Sequence, residues 1–183
     1  MGARLLAAGY PVLASNRTDA FAKSNYKQAV PILQTMIEME IPLAFQTRGG
    51  DGIGDVLATL PPSYWYVSIC SMDDEVRRRV EPGAPSIESR FDLIRTLTEQ
   101  GHTVVLGLNP VVPDWLPEGP GALLRAAQDA GAVGVWTESM HLSKRQVERI
   151  DRRGTAALSL PLIKRVSGRA EDPRDHDFWC QAR

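Results

Sequence analysis

The stretch SIESRFDLIRTLTEQGHTVVLGLN, residues 86–109, decides the fold because it holds a complete helix followed by a complete strand. Ser86 and Gly101 are typical of the residues at which a helix begins and ends. Between them the apolar residues recur at helical spacing, at Ile87, Phe91, Ile94 and Leu97. After the glycine, the run 102–109 has the length and the β-branched content of a buried strand. This stretch therefore predicts a helix followed by a strand of an α/β protein.

The same alternation runs through most of the chain. Apolar strand-like runs occur at residues 11–15, 41–47, 64–70, 102–109 and 132–138, and helical patterns occur at 26–39, 54–60, 86–100, 119–130 and 143–153. Strands that alternate with single amphipathic helices indicate parallel βα units joined by right-handed crossovers. Periodicity alone fits an open doubly wound sheet as well as part of a barrel. Because each return segment is a single amphipathic helix, which covers one face, we expect an α/β fold: five parallel strands in chain order, curved as a partial (β/α) TIM-like barrel, with helices on the outer face only.

Composition narrows the class of protein. The chain has 183 residues, of which 43% are hydrophobic, with 21 basic and 22 acidic residues. With charges so balanced, the chain has no overall positive electrostatic field that would attract nucleic acid or an anionic membrane surface. Cys70 and Cys180 lie far apart and lack the neighbours of a metal site, and no apolar run is long enough to span a membrane. We predict a reduced, cytoplasmic protein with one domain over 1–154 and a polar carboxyl-terminal extension over 155–183.

Polar side chains follow each predicted strand. Asn16 and Asp19 follow the first, Thr47 and Arg48 end the second, and Ser68 and Asn109 lie at the ends of the next two. In a barrel the carboxyl ends of parallel strands share one rim, where ligands bind. Several of these residues also have a purely structural explanation: a turn bonded to its own backbone for Asn16 and Asp19, a solvated loop position for Arg48, and the end of an apolar run for Ser68.

Three other features have structural explanations that we favour. Glu81 precedes a Pro-Gly turn and Arg90 lies in the first turns of the next helix, so an ion pair between them is expected to join loop to helix. Cys70 is expected to be a small buried hydrophobic residue. The basic runs at 76–82 and 143–153 are interleaved with acids at helical spacing, which is typical of solvated helix faces.

Several spaced motifs resemble the radical S-adenosylmethionine (SAM) superfamily, in particular the branch that contains spore photoproduct lyase. They are SNRTDAF at 15–21, IPLAFQTRGG at 41–50, YWYVSICSMDDEVRRRVEP at 64–82 and EPGAPSIESRFDLIRTLTEQGHTVVLGLNPVVP at 81–113. The resemblance covers roughly residues 10–140 in the family's order. It implies a TIM-type barrel that binds S-adenosylmethionine through Asn16, Asp19, Thr47, Arg48, Ser68 and Asn109.

One motif of the family is missing. Its members hold a [4Fe–4S] cluster with three cysteines in a C-x3-C-x2-C loop after the first strand. The two cysteines of this chain form no such motif, and its first strand is similar to the family's second. The resemblance thus implies a barrel without the amino-terminal strand and cluster loop, as a truncated, split or degenerate form. Such a chain is not expected to cleave the cofactor by itself.

Two classes of function follow. The first is a lyase-like radical SAM protein, here a fragment or split form that is inactive alone. The second is a non-catalytic α/β binding or assembly module that complements a separate cluster-bearing chain. Nucleic acid is considered as a substrate only by analogy with spore photoproduct lyase. A third class, a phosphate-binding barrel enzyme, is disfavoured because the sequence has no Gly-rich loop followed by Lys-Ser or Lys-Thr.

Overall fold

A computed structural model of the chain describes residues 2–14 and 18–137. The strands are β1 (Val12–Ala14), β2 (Leu43–Thr47), β3 (Tyr64–Ser68), β4 (Thr103–Leu108) and β5 (Gly134–Thr137). The helices are α1 (Gly2–Ala7), α2 (Tyr26–Glu38), α3 (Ile53–Leu57), α4 (Asp74–Val80), α5 (Ile87–Glu99) and α6 (Gly121–Asp129), with a 3-10 helix over Pro113–Trp115. The predicted α/β alternation is confirmed within these residues.

The five strands form one parallel sheet in the order β1-β2-β3-β4-β5. Each strand pairs with its neighbour in the chain, as in the register of Phe45 with Trp65 and of Trp65 with Val104. Because the order never reverses, right-handed crossovers place every connecting helix on the same face of the sheet. The sheet is therefore wound in one direction, unlike a doubly wound sheet, whose order reverses at a switch point.

Burial along the strands agrees with helices on one face. In β2 and in most of β3 and β4, buried residues alternate with partly exposed ones. The buried set packs with the apolar sides of α5 and α6 in one core cluster. The rings of Phe45 and Trp65 stack at its centre with centroids 4.2 Å apart, and Phe21 stacks on Trp65 at 5.8 Å. The alternate residues form what we call the open face of the sheet.

The helices α5 and α2 begin with different capping arrangements. Ser86 caps α5 as expected, since its hydroxyl accepts a hydrogen bond from the Ser89 backbone N–H at 3.1 Å. Asn25 occupies the cap position of α2, but its side chain makes no capping bond. Its Nδ2 instead donates to the Asp19 carbonyl at 2.9 Å, so the side chain ties the helix to the preceding loop.

Two helices add to the predicted set. The sequence pattern gave no helix for residues 2–7, which form the short α1. The basic run at 76–82 lies mostly in α4, which has no buried residue, as expected of a solvated helix face. The predicted helix at 143–153 and the extension over 155–183 lie outside the described residues. Within the part that is described, no helix has the length and apolar content to cross a membrane.

Candidate functional site

Asp19 organises the loop that follows β1. Its Oδ1 accepts hydrogen bonds from the Phe21 N–H at 3.0 Å and from the Thr47 hydroxyl at 2.9 Å. Its Oδ2 accepts from the Arg48 N–H at 2.7 Å. The Thr47 hydroxyl in turn accepts from the Gly49 N–H at 2.8 Å. Asp19 and Thr47 therefore join the loop after β1 to the end of β2. Asp19 accepts a bond from its own loop, as expected of an Asx turn, and also from the neighbouring strand.

The loop after β2 packs tightly on this junction. Gly50 lies against the Phe21 carbonyl so closely that an added Cβ would stand 2.0 Å from the Phe21 oxygen. Only a residue without a Cβ fits such an approach. The close contact fixes where Arg48 and Gly49 leave the strand, and so where the Arg48 side chain starts.

Arg48 reaches from the end of β2 to the loop after α4. Its Nε donates to Glu81 Oε1 at 2.5 Å, and its side chain keeps 46% of its surface exposed. No hydrogen bond among the described residues uses its terminal nitrogens Nη1 and Nη2. Burial lowers the pKa of the Arg48 guanidinium, but the hydrogen bond and the negative charge of Glu81 raise it by more. The net effect is a raised pKa, so the group stays charged. Arg48 thus presents a fixed cation with its outer edge available.

Glu81 also contacts a second, fully buried guanidinium. Its Oε2 lies 2.7 Å from Arg90 Nη1, which confirms the ion pair expected between these residues. Arg90 Nη1 further donates to the Ser68 carbonyl at 2.8 Å, and Nε donates to the Pro85 carbonyl at 3.2 Å. Nη1 is close enough to Oε2 for an ion pair but is not aligned for a hydrogen bond. Among the described residues, neither Glu81 Oε2 nor Arg90 Nη2 makes a hydrogen bond.

Cys70 lies beside this charged group, just after β3. It is buried, and burial together with the charge of Glu81 raises the pKa of its thiol to about 12, although Arg90 and Arg48 act in the opposite direction. A thiol with so high a pKa is not a nucleophile near neutral pH, since the thiolate is the reactive form. This agrees with the expectation of a small buried hydrophobic residue.

A cleft of about 720 Å³ opens at this edge of the sheet. Its walls come from the loops after β1 and β2 and from the loop between α4 and α5, and include Asp19, Lys23, Arg48, Glu81 and Pro85. The charged lining consists of two basic residues, Lys23 and Arg48, and three acidic ones, Asp19, Asp51 and Glu81. Glu81 is paired with Arg48. Lys23 was not singled out from the sequence, because a lone lysine in a polar loop has no pattern that sets it apart.

The six residues predicted as a site do not all meet in the cleft. Asp19, Thr47 and Arg48 contact one another, and Asp19 and Arg48 line the cleft. Ser68 is buried at the end of β3, with its hydroxyl 3.5 Å from the Gly107 carbonyl. Asn109 follows β4 and precedes a cis peptide bond to Pro110. Asn16 lies outside the described residues.

One group at this edge, the Arg48 guanidinium, has the chemistry to bind an anion. A guanidinium that is held through Nε can offer its two terminal nitrogens to a carboxylate or phosphate. Within residues 2–14 and 18–137, no three His, Cys, Asp or Glu side chains come together as a metal site. Comparison with protein-family models and with curated proteins gives no match to the chain.

Proposed function

We propose that the chain is the S-adenosylmethionine-binding part of a partial (β/α) barrel of the radical SAM type, of the branch that contains spore photoproduct lyase. The observation that carries the proposal is the Arg48 guanidinium, anchored by Glu81 at 2.5 Å and lining a cleft at the carboxyl edge of a parallel sheet. The one-directional strand order supports the barrel, and the position of the site agrees with the edge at which such folds bind ligands.

The cofactor's amino-acid end suits the cleft. In this proposal, the outer edge of Arg48 pairs with the carboxylate of S-adenosylmethionine. Asp19 holds the Arg48 backbone in place, because its Oδ2 accepts from the Arg48 N–H, and the Thr47 hydroxyl in turn donates to Asp19. Ser68, Asn109 and Asn16 remain proposed contacts for the rest of the cofactor. Bound S-adenosylmethionine would supply a carbon-centred radical only when a [4Fe–4S] cluster on another segment or chain gave it an electron, and the barrel would shield that radical from water.

The residues present do not fit a [4Fe–4S] cluster. The sequence has two cysteines, at positions 70 and 180, and the family's cluster loop needs three. Cys70 is moreover buried with its pKa raised to about 12, whereas a cluster ligand must be a thiolate. We therefore propose no reaction for this chain alone, and the lyase activity would require a cluster-bearing segment or partner.

A second proposal is a non-catalytic module that assembles with such a cluster-bearing chain. It is favoured by the edge at β1, which pairs with β2 on one side only among the described strands. Leu13 on this strand is 44% exposed, and Leu5, Leu6 and Tyr10, which precede it in the chain, are also exposed. Unpaired strand edges of this kind tend to pair with another chain. We expect the chain to self-associate in sedimentation experiments and Leu13→Lys to reduce that association.

The two proposals are separated by fusing a C-x3-C-x2-C segment to the amino terminus and reconstituting the protein without oxygen. If the chain is the cofactor-binding part of a radical SAM protein, calorimetry will show tighter S-adenosylmethionine binding by the fusion than by the chain alone. A fusion that binds iron but neither binds nor cleaves S-adenosylmethionine would leave the assembly module as the surviving proposal.

A further inference from the structure

The charged lining of the cleft does not favour an anion by itself. It has two basic and three acidic side chains, which are Lys23, Arg48, Asp19, Asp51 and Glu81. A carboxylate that approaches Arg48 therefore meets more negative than positive side chains. A further cation reaches this group from behind the cleft wall, because Arg90 pairs with Glu81 while only 1% of its side chain is exposed. Arg90 can thus offset one of the acids without occupying the cleft.

Arg90 is a fixed charge at the start of α5. Its Nη1 lies 2.7 Å from Glu81 Oε2 and donates to the Ser68 carbonyl at 2.8 Å, and its Nε donates to the Pro85 carbonyl at 3.2 Å. A charge held away from water is screened less than one at the surface. Its influence extends to Cys70, where burial and Glu81 raise the pKa of the thiol but Arg90 acts to lower it. Arg90 therefore acts on its surroundings as a buried positive charge.

Glu81 divides its carboxylate between two guanidiniums. Oε1 accepts from Arg48 Nε at 2.5 Å, and Oε2 faces Arg90 Nη1. Two guanidiniums and one carboxylate leave one positive charge in excess. Without Arg90, the side chains of Glu81 and Arg48 would form a neutral pair, and the outer edge of Arg48 would attract an anion less strongly. Glu81 can thus orient Arg48 through Nε while Arg90 balances the charge of Glu81.

We infer that Arg90 is a positioning residue for anion binding by Arg48 and that it acts through Glu81. It allows a carboxylate of the protein to hold the Arg48 guanidinium in place without cancelling the charge that the ligand needs. This role rests on the proposed function, since the anion is the ligand carboxylate that Arg48 is proposed to receive. The affinity for that carboxylate should therefore follow the summed charge of the three side chains. A merely structural Arg90 would affect charged and uncharged ligands alike.

The test compares two adenosine derivatives that differ in one charged group. S-adenosylhomocysteine without its amino group carries a carboxylate as its only charge, and 5′-methylthioadenosine carries no charge. The full chain is titrated with each ligand by calorimetry. Arg90→Gln should weaken binding of the carboxylate ligand about fivefold, through the loss of one unit charge in a partly screened site, and should leave 5′-methylthioadenosine binding unchanged.

Conservative and control variants show whether the charge itself is responsible. Arg90→Lys keeps the positive charge, so it should bind the carboxylate ligand within about twofold of the parent chain. Arg95→Gln removes a charge from the exposed side of the same helix, where Arg95 pairs with Asp92, and it should change the binding of neither ligand.

Two further variants separate charge from structure. Glu81→Gln keeps an oxygen that can accept from Arg48 Nε but leaves two positive charges, so it should bind the carboxylate ligand about fivefold more tightly than the parent chain. The double variant Glu81→Gln, Arg90→Gln returns to one positive charge and should bind within about twofold of the parent. It also removes both charges of the buried pair, which is less destabilising than removing one. If Arg90→Gln does not fold, the double variant compared with Glu81→Gln measures the same charge.

Arg48→Ala separates this role from the proposed function. Carboxylate affinity that rises from Arg90→Gln through the parent chain to Glu81→Gln supports the role of Arg90. If Arg48→Ala weakens carboxylate binding but a folded Arg90→Gln does not, or if Arg90→Gln weakens both ligands equally, the role of Arg90 is overturned and the Arg48 contact stands. A double variant that binds no better than Arg90→Gln also overturns it. If the parent chain binds the two ligands equally, the Arg48 contact is absent and the role of Arg90 falls with it.

Discussion

Glu81 Oε2 lies 2.7 Å from Arg90 Nη1, and the two side chains are only 9% and 1% exposed. The same carboxylate holds Arg48 through its other oxygen. A single buried acid thus links the loop after β2, the loop after α4 and the first turns of α5. Removing one partner from a buried pair leaves a charge without its counterion, which costs far more than an exposed pair contributes.

We predict that Arg90→Met lowers the free energy of unfolding by about 3–5 kcal/mol, because Glu81 would keep only the partly exposed Arg48 as its counterion and the Ser68 and Pro85 carbonyls would lose their donor. Urea unfolding followed by circular dichroism measures this. Arg95→Met is the matched control, since Arg95 pairs with Asp92 on the exposed side of the same helix and should cost no more than about 0.5 kcal/mol. Equal losses in the two variants would show that the buried pair has no special role.

Asp19→Ala should destabilise the chain by about 2–3 kcal/mol, because the N–H groups of Phe21 and Arg48 and the Thr47 hydroxyl all lose their charged acceptor. Asp19→Asn keeps one acceptor oxygen and should cost about half as much. Thermal unfolding of the two variants, with the exposed Asp92→Ala as control, checks the prediction. A loss in Asp19→Ala no larger than in the control would mean that the junction is not held by this carboxylate.

His102 should make stability depend on pH. Its ring is buried and its Nδ1 accepts from the Ser63 N–H at 3.1 Å, and burial lowers its pKa below the ordinary value of 6.5. The contribution of the neutral ring is therefore complete above pH 6.5 and is lost as the pH falls through the lower folded value. Stability should fall below pH 6.5 with a slope of at most about 1.4 kcal/mol per pH unit from this residue.

The matched variant for this effect is His102→Asn, whose amide oxygen can still accept from Ser63 but does not titrate. Urea midpoints measured between pH 7 and pH 5 should decline less steeply in His102→Asn than in the parent chain. The other two histidines, His141 and His176, are the same in both proteins, so their contribution cancels. Identical slopes would show that His102 is not the titrating group.

Cys70 should be protected from thiol reagents. In a Cys180→Ser background, the folded chain at pH 8 should react with Ellman's reagent at least about 100-fold more slowly than the urea-unfolded chain, because burial and Glu81 raise the pKa of this thiol to about 12. The Cys70→Ser, Cys180→Ser double variant provides the blank. Similar rates in the folded and unfolded states would show that the thiol is exposed and ionised.

The sheet was predictable because its signals are local. The strand runs around Phe45, Trp65 and Val104 are apolar and short, and a helical pattern separates each pair of strands. The order and the parallel direction of the strands could therefore be predicted from the rules for right-handed βαβ connections. Strand boundaries differ from the prediction by at most two residues. The cap of α5 at Ser86 also followed from its own sequence. These features depend on neighbours within a few residues.

The site was predictable only in part, because its contacts join distant residues. The Glu81–Arg90 pair could be foreseen, since nine positions separate the two in the chain and a turn lies between them. The contact of Glu81 with Arg48 spans 33 positions, and the bonds from Asp19 to Thr47 and Arg48 span 28 and 29. No sequence pattern states which acid an arginine reaches across the sheet. The close approach of the Tyr66 ring to Gly107, where an added Cβ would stand 2.2 Å from Tyr66 Cε1, was not predicted for the same reason.

The central claim is that Arg48 receives the carboxylate of S-adenosylmethionine, and the most direct measurement compares two ligands. The chain is titrated by NMR with S-adenosylmethionine and with 5′-methylthioadenosine, which has the same nucleoside but no amino-acid end. Arg48→Ala should weaken S-adenosylmethionine binding about tenfold, the loss of one charged hydrogen-bonded contact, and leave 5′-methylthioadenosine binding unchanged. Arg95→Ala should change neither. Equal binding of S-adenosylmethionine by the parent chain and by Arg48→Ala would contradict the account.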